Sequence, residues 1–346
     1  MAPSLSNLSC WVISDGRVGI EIQAAGLARA IGLAPEIKRL KARSPWGLVP
    51  PRLWRDPLQH LDPEGDSLAP PWPDVLVGCG RLAVAPSTAV RRAAAGGTFT
   101  IQIQAPKVPL DRFDLVVVPR HDRVTGSNVI TTLGSMHGFH AEDLAEAAER
   151  LPPAYAALPQ PRVAVMLGGR SRVHKITVDD ARRLAGHLVA WSREQGASLM
   201  VTASRRTERS TLALLRQELA GYPAVFWTGE GENPYQGLLG LADRFVVTAD
   251  SVNLVTEAAC TGKPISVAPV KGGTRKFSRF HAAMVEAGIT RPLSDAMADW
   301  IYEPLHETER VAAEIRQRLE ARFPQEAQKA APPAPSSNVD LSRRAG

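Results

Sequence analysis

Cysteine is scarce in this chain of 346 residues: Cys10, Cys79 and Cys260 are scattered and odd in number. That argues against a disulfide framework and a zinc site, and it suits a reducing compartment. Aromatic residues make up only 5%. No aromatic RNA-binding signature or zinc-finger spacing is present, so nucleic acid is not expected as a partner. Long apolar runs are missing too, and none approaches the ~20 residues that cross a bilayer. The opening MAPSLSNLSCWVIS has no charged region ahead of an apolar core, so no secretory signal is expected. There is no Asp-x-Asp sequence, and neither a metal nor a resident cofactor is expected.

What is present describes a globular protein, with 44% hydrophobic and 22% charged residues. The net charge of +6 gives a basic surface suited to nucleotide phosphates or anionic lipid. A cytoplasmic location follows, with the inner face of the plasma membrane as the place where such a surface would act.

Short apolar runs alternate with amphipathic stretches along most of the chain. In the first half the strand-like runs are 10–14, 74–78, 98–102 and 114–119, with helical patterns at 18–31 and 82–95. A proline-rich segment, 151–161, breaks the periodicity and reads as a linker. A second series then begins, with strands at 162–167, 198–202, 224–227, 244–248 and 264–268. Helical patterns lie at 178–194, 207–220, 235–241 and 251–259. Alternation of this kind implies an α/β fold with two Rossmann-like parallel-sheet domains facing a cleft, residues 1–150 and 162–304. A charged helix over 305–323 and a disordered tail over 324–346 complete the expected organisation.

Ligands in such sheets sit beyond the carboxyl ends of the strands, which is where the polar stations of this sequence fall. After the first strand, Asp15, Gly16 and Gly19 precede a helix carrying Gln23, and a glycine turn there lets backbone N–H groups approach a ligand. The matching turn of the second half holds Gly168, Gly169 and Arg170. The next strand ends in Ser204, Arg205 and Arg206, placed to neutralise a diphosphate. Then comes FVVTADSVNLVTEAACTGKPISV. Asp250 or Ser251 caps a helix with Asn253 and Glu257 on one face, and Glu257 is suited to accept hydrogen bonds from two sugar hydroxyls. Gly262-Lys263 lacks the glycine and the Ser/Thr of a P-loop, which excludes one. On the first-domain side, Gln104 ends a strand, and Asp15, His121 and His137 are the candidates for proton transfer. The run from Arg43 to Pro57 interleaves tryptophan, arginine and proline and reads as a candidate membrane-facing edge.

Taken together, DGRVGIEIQAAGLARAIG, IQIQAPKVPLDRFDLVVVPRHD, TTLGSMHG, VAVMLGGRSR, TASRRT and the segment around Asp250 resemble the bacterial branch of the mitochondrial-fission "elongated mitochondria" family. The resemblance covers about residues 10–300. That family is similar in its second half to GT-B glycosyltransferases and to UDP-sugar 2-epimerases. The resemblance implies a GT-B architecture with a nucleotide-sugar donor in the second domain and an acceptor in the first. On it, Glu257 would bind ribose, Asp250-Ser251 the diphosphate or sugar, and Arg205 or Arg206 the phosphates. Three functions stay open: a metal-independent glycosyltransferase acting on a lipid-linked or envelope glycan, an epimerase or hydrolase of the same fold, and a non-catalytic membrane-associated adaptor. The nucleotide, the acceptor, the stereochemical outcome and the oligomeric state are not legible in the sequence.

Overall fold

The computed structural model describes residues 5–227 and 229–324. The expected tail from Pro324 lies, apart from its first residue, outside them.

The first domain has strands β1 (Cys10–Ser14), β2 (Pro35–Arg39), β3 (Val75–Cys79), β4 (Phe99–Ile103), β5 (Leu115–Pro119) and β6 (Val129–Thr132). Helices α1 (Val18–Ile31) and α2 (Gly80–Ala93) cover the sheet. The chain then enters α3 (Ala141–Glu149) and the single turn α4 (Pro153–Ala156). The second domain follows with β7 (Arg162–Leu167), β8 (His174–Lys175), α5 (Val178–Gln195), β9 (Ser198–Ala203), α6 (Arg209–Glu218) and β10 (Ala224–Trp227). It continues through α7 (Tyr235–Leu241), β11 (Arg244–Thr248), α8 (Val252–Ala259), β12 (Ile265–Ala268), β13 (Lys271–Gly272), α9 (Arg275–Glu286) and β14 (Thr290–Pro292). Last comes α10 (Glu307–Arg322).

Both six-stranded sheets are parallel throughout, in the orders β2-β1-β3-β4-β5-β6 and β10-β9-β7-β11-β12-β14. Each therefore has a switch point where successive connections leave in opposite directions. These lie between β1 and β3 and between β7 and β11, the crevices in which such sheets hold ligands. The central strands β1, β3, β4 and β11 are buried along their whole length, which explains their apolar runs.

Two packing arrangements depart from the expected order. Helix α10 does not stand apart: Val311, Ala312, Ile315 and Leu319 are buried in the core of the first domain, against α1. Conversely, α3 precedes the proline-rich segment in sequence yet packs on α7 of the second domain. Gly237 and Gly240 allow this close approach, because a Cβ at either would overlap the α3 backbone or Leu151. Tyr155 and Leu158 of the expected linker are buried in the second core, so that stretch is packed chain. The protein thus crosses between domains twice, and the crossings touch. The Thr308 hydroxyl donates to the His137 carbonyl (2.6 Å) and accepts from the His137 N–H (3.0 Å).

Candidate functional site

The domains face each other across a cleft of about 1070 Å³. The start of α1 and the start of α8 meet there: a Cβ on Gly19 would lie 3.6 Å from Asn253 Nδ2. Two helix N-termini, each favouring anions, are thereby aimed into one space. Gln23, Gln104, His121 and Asn253 all line it. Gln104 has φ +73°, a left-handed backbone that costs a non-glycine residue free energy and is concentrated at functional sites. Helix α9 closes one side, where Lys276 pairs with Asp122 at 2.5 Å and Arg279 donates to the His121 carbonyl at 2.8 Å.

On the second-domain wall, Asp250 turns inward. Its side chain is sealed from solvent and accepts from the Gly169 N–H (2.7 Å) and the Thr248 hydroxyl (2.7 Å). Arg206 stands 3.5 Å away. A Cβ on Gly168 would overlap this carboxylate, and one on Gly169 would overlap the Arg206 backbone. The glycine pair is therefore demanded by packing. Ser204 donates to the Gly168 carbonyl (2.7 Å) and braces the same turn. Ser251 caps α8, accepting from the Leu254 N–H at 3.3 Å. Arg170 is tied to Glu208 (2.9 Å), whereas Arg205 is exposed and forms no ion pair among the described residues.

Glu257 is held in a different way. One oxygen, Oε2, accepts from the Tyr235 phenol. The other accepts no hydrogen bond among the described residues, and the side chain stays partly open to solvent. Burial pushes the carboxyl above the ordinary carboxylate range, and the Tyr235 hydrogen bond only partly offsets this. The arrangement is a fixed, half-satisfied acceptor suited to a hydroxyl-rich ligand.

The three proton-transfer candidates separate. His121 is buried in the cleft wall, edge-on to Phe280 at 5.5 Å, with Nδ1 unpartnered among the described residues. Burial lowers its pKa to about 4, so the ring is neutral near pH 7, with a free lone pair but weak as a base. An NMR titration should accordingly show the His121 ring protonating near pH 4, with no step between pH 5 and 8; a midpoint above 6 would disprove this. His137 must be corrected: it does not line the cleft, but stacks on Phe139 (5.8 Å) inside the crossing. Asp15 is paired with Arg17 (2.8 Å). Its burial, which would raise its pKa, is outweighed by the Arg17 hydrogen bonds, leaving it below the ordinary value and poor as a base.

Residues behind the second-domain wall, outside the cleft lining, were not anticipated. His281 on α9 directs Nε2 at the Ala249 carbonyl (2.8 Å). Since a carbonyl only accepts, Nε2 carries the proton and the buried Nδ1 is a lone pair. His174, brought in by the antiparallel β8–β13 pairing, stacks edge-on to Phe277 at 4.3 Å, also with Nδ1 unpartnered among the described residues. Burial lowers the pKa of both, opposed in each case by Asp250. Tyr235 could have been suspected only by noting the Asn-Pro turn before it. Nothing local flags either histidine.

Two parallel-sheet domains, a cleft at both switch points and a returning C-terminal helix define a protein of the GT-B fold. Solved structures agree: a putative UDP-N-acetylglucosamine 2-epimerase from Listeria monocytogenes superposes with TM-score 0.56 at 12% identity, covering 94% of this chain and 92% of that one. The UDP-GlcNAc 2-epimerase of Methanocaldococcus jannaschii, solved with UDP-GlcNAc and UDP, gives TM-score 0.50 at 11% identity over 90% of this chain and 99% of that one. The chain belongs to the family described as Mitochondrial fission ELM1, whose pattern it matches over residues 18–319. The mitochondrial fission protein ELM1 of Arabidopsis thaliana is 32% identical over 277 residues, 72% of this chain. The matched region spans 65% of that relative's length.

Proposed function

We propose that this protein binds a nucleotide-diphosphate sugar in the cleft and acts as a metal-independent glycosyltransferase. The observation that carries the reading is the meeting of two helix N-termini at the switch points, with Glu257 held by Tyr235 at the far end of α8. The diphosphate would lie against the start of α8 near Ser251 and Asn253, with Arg205 and Arg206 as counter-charges. Glu257 would accept from the ribose hydroxyls, with Tyr235 as its positioning residue. Helix dipoles and arginines would stabilise the charge developing on the leaving diphosphate. The first domain would present the acceptor, with neutral His121 as the candidate base beside Gln23 and Gln104. A lipid-linked or envelope glycan at the inner membrane face is the acceptor class that fits the basic surface. Support from outside the chain is the nucleotide sugar bound to the Methanocaldococcus epimerase.

A second reading, an epimerase or hydrolase, is favoured by the neutral His174 and His281 flanking Asp250, which provide groups for moving protons at a sugar. The adaptor reading follows from the family description alone.

Calorimetric titration with UDP, GDP, CDP and ADP separates them. One of the four should bind in the micromolar range, about −8 kcal/mol. No binding by any of them would refute the nucleotide-sugar reading and leave the adaptor. Turnover of the sugar donor without an acceptor would select the second reading.

A further inference from the structure

Away from the cleft, the first domain has an open basin of about 820 Å³ between residues 52–56, α2 and the turn Leu110–Arg112. Arg52, Arg55, Arg91, Arg92 and Arg112 line it. Arg91 is bound to Asp114 at 2.9 Å; the other four form no ion pair among the described residues. The acids nearby are Asp56, also in the lining, and exposed Asp111, so the basin has a net positive charge.

Beside it the chain presents two large apolar side chains to solvent, Leu48 (84% exposed) and Leu53 (56%). Their loop is braced from within. Trp46 stacks on His60 at 3.8 Å and meets Trp54 edge-on at 5.8 Å. Trp54 Nε1 and Arg81 both donate to the Val49 carbonyl, at 3.0 and 2.8 Å. The tryptophans expected at a membrane edge thus hold the loop, and the leucines project from it. Leu48 and Arg52 also line the cleft, so the loop forms part of its rim.

We propose that this face docks on a bilayer containing anionic phospholipid. Leu48 and Leu53 enter the interfacial layer while Arg52, Arg55, Arg92 and Arg112 meet the headgroup phosphates. A bilayer is favoured over nucleic acid because exposed leucines add nothing to a phosphodiester contact, and Trp46 and Trp54 have their rings engaged within the loop. Docking stands independently of the nucleotide-sugar reading. Its consequence rests on that reading: with the rim at the bilayer, a lipid-linked acceptor would reach the cleft by crossing Leu48 and Arg52.

The test is cosedimentation of the full chain with vesicles of phosphatidylcholine alone, or with about 30% phosphatidylglycerol. Leu53→Asp and the double variant Arg55→Glu/Arg92→Glu avoid residues that line the cleft. Wild type should partition onto the anionic vesicles only, more weakly at about 0.5 M salt. Each variant should lower partitioning about tenfold with an unchanged melting temperature. Nucleotide titration of the same variants should match wild type, so failure of docking is distinguishable from failure of the cleft reading. Equal partitioning of wild type and variants, or none by wild type, would overturn the proposal. So would an RNA duplex that displaces wild type from vesicles and still binds Leu53→Asp.

Discussion

Replacing Asp250 by alanine should cost about 3–5 kcal/mol of stability, the usual penalty for removing one partner of a buried charged cluster. The carboxylate satisfies the Gly169 N–H and the Thr248 hydroxyl, with Arg206 alongside. Alanine would leave two buried donors and an arginine without their acceptor, at the switch point between β7 and β11. Asp250→Asn should fall between alanine and wild type, because one oxygen is retained while the new amide N–H₂ faces a donor. Urea unfolding combined with amide exchange at Gly169 reads both the global and the local effect. An alanine variant within about 1 kcal/mol of wild type would show that the glycine turn is held by other means.

Glu257 should give the second large effect, and its two readouts should move in opposite directions. Glu257→Ala is expected to weaken nucleotide binding by about a hundredfold, as removal of a charged hydrogen-bonding partner does. Tyr235→Phe should weaken it less, because the carboxylate remains but is no longer oriented. Glu257→Gln keeps the shape and should raise the melting temperature of the unliganded protein by about 1–3 °C at pH 8. The sign follows from the raised carboxyl. A carboxyl whose folded pKa lies above its unfolded value of 4.5 contributes stability that is full below the unfolded value. That stability is lost as pH rises through the folded pKa. Wild type at pH 8 therefore carries the cost of holding this carboxyl against ionisation by burial, which glutamine lacks, and the difference should shrink as pH falls toward the unfolded value. The same shift means that acidification should weaken nucleotide binding at a higher pH than an ordinary glutamate would allow. A Glu257→Ala variant that binds nucleotide as wild type does would remove this residue from the site.

Much of the fold was legible because its central strands are short, continuous apolar runs. Cys10–Ser14 matches β1 to the residue, and 74–78 is β3 displaced by one. At the sheet edges β10 was read to the residue at 224–227, but β2, β6 and β14 were not legible. β2 reads PEIKR and has no fully buried residue, so it lacks the apolar signal; such charge is what protects a sheet edge. Helix α9 buries only Phe280 and Met284, too narrow a stripe to stand out. At the site, the stations after β1, β7 and β11 fell at the switch points, because glycine turns and helix caps are local features. Side-chain direction is not local. Asp250 turns inward to hold Gly169, and His137 is drawn into the crossing by Thr308, 171 positions away in sequence. The convergence of His174 with His281 depends on Lys175 pairing with Lys271, a register no short window contains.

The two crossings also bear on the order in which the chain is made. The second sheet lies wholly within residues 162–292. The core of the first domain, by contrast, is completed by α10, the last described helix to emerge, which packs on α1, some 290 residues older. During synthesis the early half would wait with one side of α1 uncovered, while the later half can already close its own core. A chain ending at residue 305 and free of the ribosomal exit tunnel should thus hold a finished second domain beside an unfinished first one. A settled first-domain side of the cleft would then wait for α10 to close that core.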